Sequence, residues 1–292
     1  MTLLHEWPLV LFTLMVQLAV GFHLALLASS TLLRARTPAV GPDPWTEDPS
    51  LLVGSLMAAA LAVSLLHLGA PTSAVHALSN LGTSWLSREI LAVLVFLGFW
   101  GVSYWLRRRP GSATWMVRGM AWLTAVAGLG LIGVMARIYM VPARPLWDHW
   151  LTAAGFLLTT LLLGAAAGAA YLERPPTGEA GAQEEGSPTV PALLAAGVAA
   201  SLAQVGAALA HPVTLEITDS PGGMSLAGLR LLLLLGGASL LVVPLVRSSF
   251  PGGLPSRGGK QGGWTAAALL LLGVSEVVGR ALFYAVGPVD PF

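Results

Sequence analysis

The run TAAGFLLTTLLLGAAAGAAYL, residues 152–172, holds 21 consecutive positions without a charged side chain. An α-helix needs about 20 mostly apolar residues to cross the hydrocarbon core of a bilayer. The polar stretch ERPPTGEAGAQEEGSP, residues 173–188, follows at once and ends the apolar run. The run therefore predicts a membrane-spanning helix.

Seven other stretches are comparably long and apolar. Segments rich in Pro and Gly, such as TPAVGPDP at 37–44 and FPGGLPSRGGKQGG at 250–263, separate them. We predict an all-α integral membrane protein with eight transmembrane helices. The predicted spans are roughly 8–32, 50–70, 85–106, 115–139, 146–171, 189–210, 226–246 and 263–286.

The composition supports a membrane location. Hydrophobic residues make up 55% of the 292 positions and charged residues 10%, whereas a soluble domain carries about 25% charged residues. We therefore expect a multi-pass protein of the cell (inner) membrane, surrounded by lipid. The net charge of +1 does not indicate a nucleic-acid partner. Because the protein has no cysteine, it can hold neither a thiolate metal site nor an iron–sulfur cluster, and we predict no metal.

Basic residues are distributed unevenly between the predicted loops. The loops after the first, third, fifth and seventh spans hold ten Lys and Arg, whereas the opposite loops and both termini hold one, Arg144. Since Lys and Arg stay on the cytoplasmic side, we predict both termini on the periplasmic (outer) side. The first ten residues, MTLLHEWPLV, lack a basic segment and a cleavage site. We therefore expect a retained first helix there, not a signal peptide.

The polar stretch at 173–188 predicts a cytoplasmic linker. It divides the chain into a first part, residues 1–172, which contains the predicted site, and a second part, residues 189–292. Similar sequences four spans apart, LHLGAP at 66–71 and LAHPV at 209–213, favour two four-helix bundles that arose by duplication. Chance matches are common in apolar sequence, so an unduplicated chain is the alternative.

The ionisable side chains of the predicted spans concentrate toward the outer face. Such residues are costly in a bilayer and mark functional sites. A hydrophobic substrate that arrives from lipid and loses protons fits this arrangement, and quinol oxidation needs a proton acceptor near each ring hydroxyl. His67 and Glu89 flank the same short outer loop, so we predict them as the catalytic proton acceptors. The predicted quinol-binding residues are Gln17, Arg137, Tyr139, Glu276 and Arg280.

Each candidate also has a structural interpretation. His67 can cap a helix end, and Glu89 can pair with the neighbouring Arg88 at the membrane interface. Gln17 can join two helices through a hydrogen bond.

The same holds for the remaining candidates. Arg137 can extend to the lipid head groups, and Glu276 and Arg280 can pair with each other because they are four residues apart on one helix. His23 is a candidate haem ligand, but by the helical rise it lies roughly 22 Å into the first span. No other histidine lies at that depth, so we predict no haem.

Six motifs occur in order along the chain: HEWPL at 5–9 followed by Gln17, SLLHLGAP at 64–71, Asn80 with LSREI at 86–90, RIY at 137–139, GFLLT at 155–159 and EVVGRALFY at 276–284. Together they resemble the membrane anchor subunit of the dimethyl sulfoxide reductase family, and the resemblance covers essentially the whole sequence. The histidine of that family's LHLG motif matches His67, and the acidic residue of its S-x-E-I motif matches Glu89. The sequence departs from the family in its longer, acidic linker and in the loop at 211–225.

The resemblance implies a three-subunit complex. A molybdopterin subunit performs the terminal reaction, and an iron–sulfur subunit with four clusters relays electrons to it. The anchor binds a quinol, typically menaquinol, near its outer face and docks the iron–sulfur subunit there, without haem.

Three alternatives stay open. A polysulfide-reductase-type anchor would have a different terminal substrate and could run with the reverse electron flow. A proton-coupled transporter would carry its charges near the bilayer midplane on broken helices, and a purely structural anchor would not require His67 and Glu89 at these positions.

Overall fold

The computed structural model describes residues 3–36, 47–67, 80–173, 189–218, 222–249 and 261–285. Within these ranges the protein forms helices and turns and no strand, which confirms the all-α prediction. The helices are α1 Leu3–Arg36, α2 Glu47–His67, α3 Trp85–Arg108, α4 Thr114–Tyr139, α5 Trp150–Leu172, α6 Val190–Ala210, α7 Pro212–Thr218, α8 Gly223–Ser249 and α9 Gln261–Ala285.

Seven of the described helices are long and apolar enough to cross a membrane, namely α1, α3, α4, α5, α6, α8 and α9. Within the described residues the apolar part of α2, Pro49–Leu65, is shorter than these seven, and it falls short of the roughly 20 residues that a span typically has. A membrane-spanning helical protein is therefore confirmed, while the eighth span and the side on which the termini lie stay predictions.

Two closed sets of helices make up the fold. The helices α1, α2, α3 and α4 pack in a ring, and α5, α6, α8 and α9 pack in a second ring. We call these the first and the second bundle. The bundles meet where α1 contacts α5 and α9, and where α4 contacts α5. The helix α5 thus packs within the second bundle, although the predicted first part, residues 1–172, includes it. Most of the predicted linker, residues 174–188, lies outside the described residues.

Small residues set the contact between the bundles. Gly21 of α1 faces Gly164 of α5, and a Cβ atom at either position would overlap the backbone of the other helix. Gly168 packs on Ala25 one turn further along. Small residues let membrane helices approach closely, and this approach brings the polar face of α1 against the second bundle. On the outside of the bundles, helices carry large exposed apolar side chains, such as Trp115 of α4 and Leu232 of α8. Such side chains are suited to contact with lipid.

Candidate functional site

Gln17 of α1 lies at the junction of the two bundles and is fully buried. Its Nε2 donates a hydrogen bond to the carbonyl of Phe156 in α5 at 2.8 Å. Its Oε1 accepts one from Nη2 of Arg280 in α9 at 3.1 Å. The Arg280 guanidinium also lies 3.9 Å from the centre of the Phe156 ring. An arginine buried at membrane depth is costly without such partners, so these contacts hold Arg280 in one position.

Two tyrosines continue this polar junction. The hydroxyls of Tyr139 in α4 and Tyr284 in α9 are 2.7 Å apart, and Tyr139 stacks on Phe156 with ring centres 5.5 Å apart. Both hydroxyls lie within electrostatic range of Glu89 and Arg280. We call Gln17, Glu89, Tyr139, Arg280 and Tyr284 the junction network. Four of its five members are residues that the sequence pointed to, and Tyr284 is the addition.

Glu89 lies one turn into α3 and is 7% exposed. Among the described residues, none hydrogen-bonds to its carboxylate and none pairs with it. The neighbouring Arg88 donates to the carbonyls of Leu81 at 2.9 Å and Gly82 at 2.7 Å and stacks on Trp85. The predicted alternative, an Arg88–Glu89 pair, is therefore not formed in the described part of the protein.

His67 is the last residue of α2, but its side chain and residues 68–79 lie outside the described residues. Its proximity to Glu89 therefore stays a prediction.

Glu276 of α9 is buried in a hydrogen-bonded cluster. Its Oε2 accepts a hydrogen bond from Thr159 at 2.6 Å, and Gln204 donates to both carboxylate oxygens at 3.3 Å. Nη2 of Arg230 lies 4.0 Å from Oε1. Its described partners thus come from α5, α6 and α8. The alternative in which Glu276 pairs with Arg280 is not formed, because Arg280 turns toward Gln17.

Two further residues from the sequence lie apart from the network. Arg137 is exposed, donates to the carbonyl of Met140 and lies over the Trp85 ring, as expected of an arginine that reaches toward lipid head groups. His23 is buried, and its Nε2 lies 2.9 Å from the carbonyl of Ala121 in α4. The absence of haem and metal stays a prediction.

Sequence reasoning missed Arg230, Gln204 and Thr159 as parts of the site. Arg230 stands inside the apolar run LRLLLLL at 229–235, and this position was a visible signal of an intramembrane charge. Gln204 and Thr159 carried no comparable signal, because polar uncharged residues are common in membrane helices.

A cleft with a cavity volume of about 80 Å³ opens between α5, α6, α7, α8 and α9. We call it the second-bundle cleft. The lining residues that bear on its chemistry are Thr152, Gln204, His211, Arg230, Glu276 and Arg280. Since Arg280 also belongs to the junction network, the cleft and the network share one side chain.

These features define a multi-pass helical membrane protein with a buried polar site between two four-helix bundles. The family model for the DMSO reductase anchor subunit (DmsC) matches residues 1–286, and the protein belongs to this family. It is 31% identical over 291 residues to the anaerobic dimethyl sulfoxide reductase chain YnfH of Escherichia coli (strain K12), a match to 96% of the present sequence and 94% of that protein. It is 27% identical over 295 residues to a second anaerobic dimethyl sulfoxide reductase chain of the same organism, with the same coverage of 96% and 94%.

Another relative, matched over about half of its length, has a different name. The sequence is 30% identical over 169 residues to a sulfite dehydrogenase subunit of Allochromatium vinosum, a match to 53% of the present sequence and 52% of that protein. The family resemblance is thus confirmed, and the protein is the membrane anchor of a DMSO reductase-type oxidoreductase complex.

Proposed function

We propose that this anchor binds and oxidises a quinol, typically menaquinol, near the outer face and passes the electrons to a docked iron–sulfur subunit with four clusters. A molybdopterin subunit then uses them, for example to reduce dimethyl sulfoxide. The junction network is the observation that supports this most directly. It concentrates one carboxyl group, one guanidinium and two phenols in a buried position between membrane-spanning helices.

Quinol oxidation requires two proton acceptors, because a quinol releases two protons with its two electrons. Glu89 suits this role. It is buried, and no described residue hydrogen-bonds to it, so its carboxylate is available to accept the proton of a quinol hydroxyl. His67 is the second predicted acceptor, at the end of the helix that precedes the same loop. Arg280 and Tyr139 would orient the ring from the opposite side.

The position of the network supports an outer location. Arg107 and Arg108 stand at the end of α3, and Glu89 lies near its start. Because Arg-rich ends stay in the cytoplasm, Glu89 faces the outer side in a protein with eight spans and both termini outside. The hydrocarbon core is about 30 Å thick, and without a haem this anchor has no means to relay electrons over that distance. The iron–sulfur partner would therefore dock on the outer face.

The test uses the assembled complex and a quinol analogue. Glu89→Gln and His67→Ala should each lower the rate of quinol oxidation by about 100-fold or more, because a positioned proton acceptor contributes at least that much. Subunit assembly should stay intact. Glu173→Gln is the matched control. Glu173 is the C-cap residue of α5, at the end that is predicted to face the cytoplasm, and its carboxylate accepts a hydrogen bond from Thr265. Normal turnover in both site variants would refute the assignment.

A second candidate is an anchor for another sulfur-compound oxidoreductase, with electrons flowing toward quinone. The similarity to the sulfite dehydrogenase subunit favours it. Purification of the native complex decides between the two. A molybdopterin subunit that reduces dimethyl sulfoxide with electrons from quinol supports the first function, and one that reduces quinone with electrons from sulfite supports the second.

A further inference from the structure

The second-bundle cleft has a polar floor and a polar mouth at a constant separation. On α5 the mouth residue Thr152 and the floor residue Thr159 are seven positions apart. The pair His211 and Gln204, near α6, has the same spacing. Seven residues of helix correspond to about 10 Å. The cleft is thus about 10 Å deep along α5 and α6.

The floor presents hydrogen-bond donors that its own residues do not use. The Arg230 side chain is 17% exposed, and among the described residues its buried Nε has no hydrogen-bond partner. A guanidinium has five N–H donors, and the nearest described carboxylate oxygen, on Glu276, is 4.0 Å away. The Arg230 guanidinium packs directly on Gly279, where a Cβ atom would overlap it. Gly279 therefore makes room for the arginine beside the cleft.

At the mouth, the hydrogen bonds of Thr152 and His211 fix which of the two side chains is the donor. Thr152 Oγ1 donates to the carbonyl of Trp147 at 2.8 Å, so in its 3.2 Å contact with His211 Nε2 the histidine is the donor. His211 Nδ1 accepts from the backbone N–H of Val213 at 3.1 Å, as a neutral imidazole does. A hydroxyl oxygen has two lone pairs, and one of those on Thr152 is left for a ligand.

The walls between floor and mouth are apolar and aromatic. Phe156 and Phe283 line the cleft, and Leu209 at its edge is 56% exposed. In a membrane-spanning protein such an exposed leucine faces lipid. The cleft is therefore accessible to a flat, apolar molecule that comes from the bilayer and carries a polar group at each end.

We infer that the second-bundle cleft binds the ring of a quinol, with one ring hydroxyl at Arg230 and Glu276 and the other donating a hydrogen bond to Thr152. A para-substituted ring with a hydrogen bond of about 2.8 Å at each end matches the depth of the cleft. The carboxylate of Glu276 at the floor favours a neutral head group, because it would repel the phosphate of a lipid. Phe156, which lines this pocket, stacks on Tyr139 of the junction network.

The inference rests on the proposed function, which supplies quinol as the ligand of this protein. It adds a binding pocket in the second bundle to the predicted proton acceptors in the first. Arg280, which lines the cleft and bonds Gln17, connects the two places.

The experiment measures binding of menadiol, the reduced form of menadione, to the full-length protein in nanodiscs of a neutral phospholipid. Binding is followed under anaerobic reducing conditions by quenching of tryptophan fluorescence. Gly279→Ala should raise the Kd about tenfold or more, because the new methyl group displaces Arg230 from the floor. Gly273→Ala is the matched control: it lies on the same helix, and a Cβ atom there meets nothing within 4 Å. Its Kd should equal that of the unaltered protein.

Arg230→Met provides a second variant that removes the donors and keeps most of the side-chain volume. It should also raise the Kd about tenfold, with a melting temperature that confirms folding. A Kd within twofold of the unaltered value in both variants would overturn the inference. So would competition from an anionic lipid that abolishes menadiol binding, since it would identify a phosphate site.

Failure of the proposed function gives a different result. If Glu89→Gln leaves quinol turnover normal while Gly279→Ala weakens menadiol binding, the cleft inference is supported and the catalytic assignment is refuted. If Glu89→Gln stops turnover and the cleft variants bind menadiol normally, only the cleft inference is refuted.

Discussion

The two bundles each bury a carboxylate, and the two carboxylates differ in their surroundings. Glu276 in the second bundle accepts hydrogen bonds from Thr159 and Gln204 and faces Arg230. Glu89 in the first bundle has no such partner among the described residues. A buried polar group without a partner is costly and rarely retained unless it has a use. The contrast indicates that Glu276 is held by protein partners even though it also lines the second-bundle cleft, whereas Glu89 depends on a bound molecule for a hydrogen-bond partner.

Replacing each carboxylate by leucine gives the largest expected difference. Glu276→Leu should lower the free energy of unfolding by about 3 kcal/mol, because it leaves the partly buried Arg230 charge and the Thr159 and Gln204 donors without their acceptor. Glu89→Leu should leave it unchanged or raise it, because no described contact is lost. Thermal unfolding of the two variants in detergent measures both effects. Equal destabilisation would show that the carboxylates play the same structural role.

The contact between the bundles should have a smaller, pairwise effect. Gln17→Leu and Arg280→Met each break the hydrogen bond between Gln17 Oε1 and the guanidinium. A double-mutant cycle should give a coupling energy of about 1.5–3 kcal/mol, as for hydrogen bonds to charged groups. A coupling near zero would mean that this bond does not hold the bundles together.

The smallest effect concerns pH and His211, which lies outside the membrane-spanning segments. Burial lowers the pKa of His211 from 6.5 to about 4, and the nearby His149 and Arg230 also act to lower it. The unfolded protein therefore takes up a proton at a higher pH than the folded protein. The contribution of His211 to the free energy of unfolding is therefore complete above about pH 6.5 and is lost as the pH falls toward about 4. His211→Asn should flatten that part of the curve of melting temperature against pH, and a curve of unchanged slope would contradict this.

Particular residues show how far the sequence leads. The depth of Gln17, Tyr139 and Arg280 along their helices follows from the helical rise alone, and the structure brings these three into one network. Arg137 has a comparable depth at the end of α4, yet it turns outward to Met140 and Trp85. Depth is a property of one helix, whereas the direction of a side chain around the axis depends on the neighbouring helices.

The i, i+4 spacing of Glu276 and Arg280 likewise does not determine their partners. On an isolated helix this spacing favours an ion pair between the two side chains. In the packed protein Glu276 bonds Thr159, 117 positions away, and Arg280 bonds Gln17, 263 positions away. Partners at such distances come from packing, which no local pattern encodes.

Apolar runs, charge and ordered motifs are local properties, and from them alone it follows that the protein is helical, lies in a membrane and belongs to the anchor family. The packing of α5 in the second bundle, the approach of Arg230 to Glu276 and the cleft beside them emerge only in the folded protein. These features depend on which helices touch, and close contacts at small residues such as Gly21, Gly164 and Gly279 govern that choice. In lipid the hydrophobic effect does not select helix neighbours, so close packing and interhelical hydrogen bonds do.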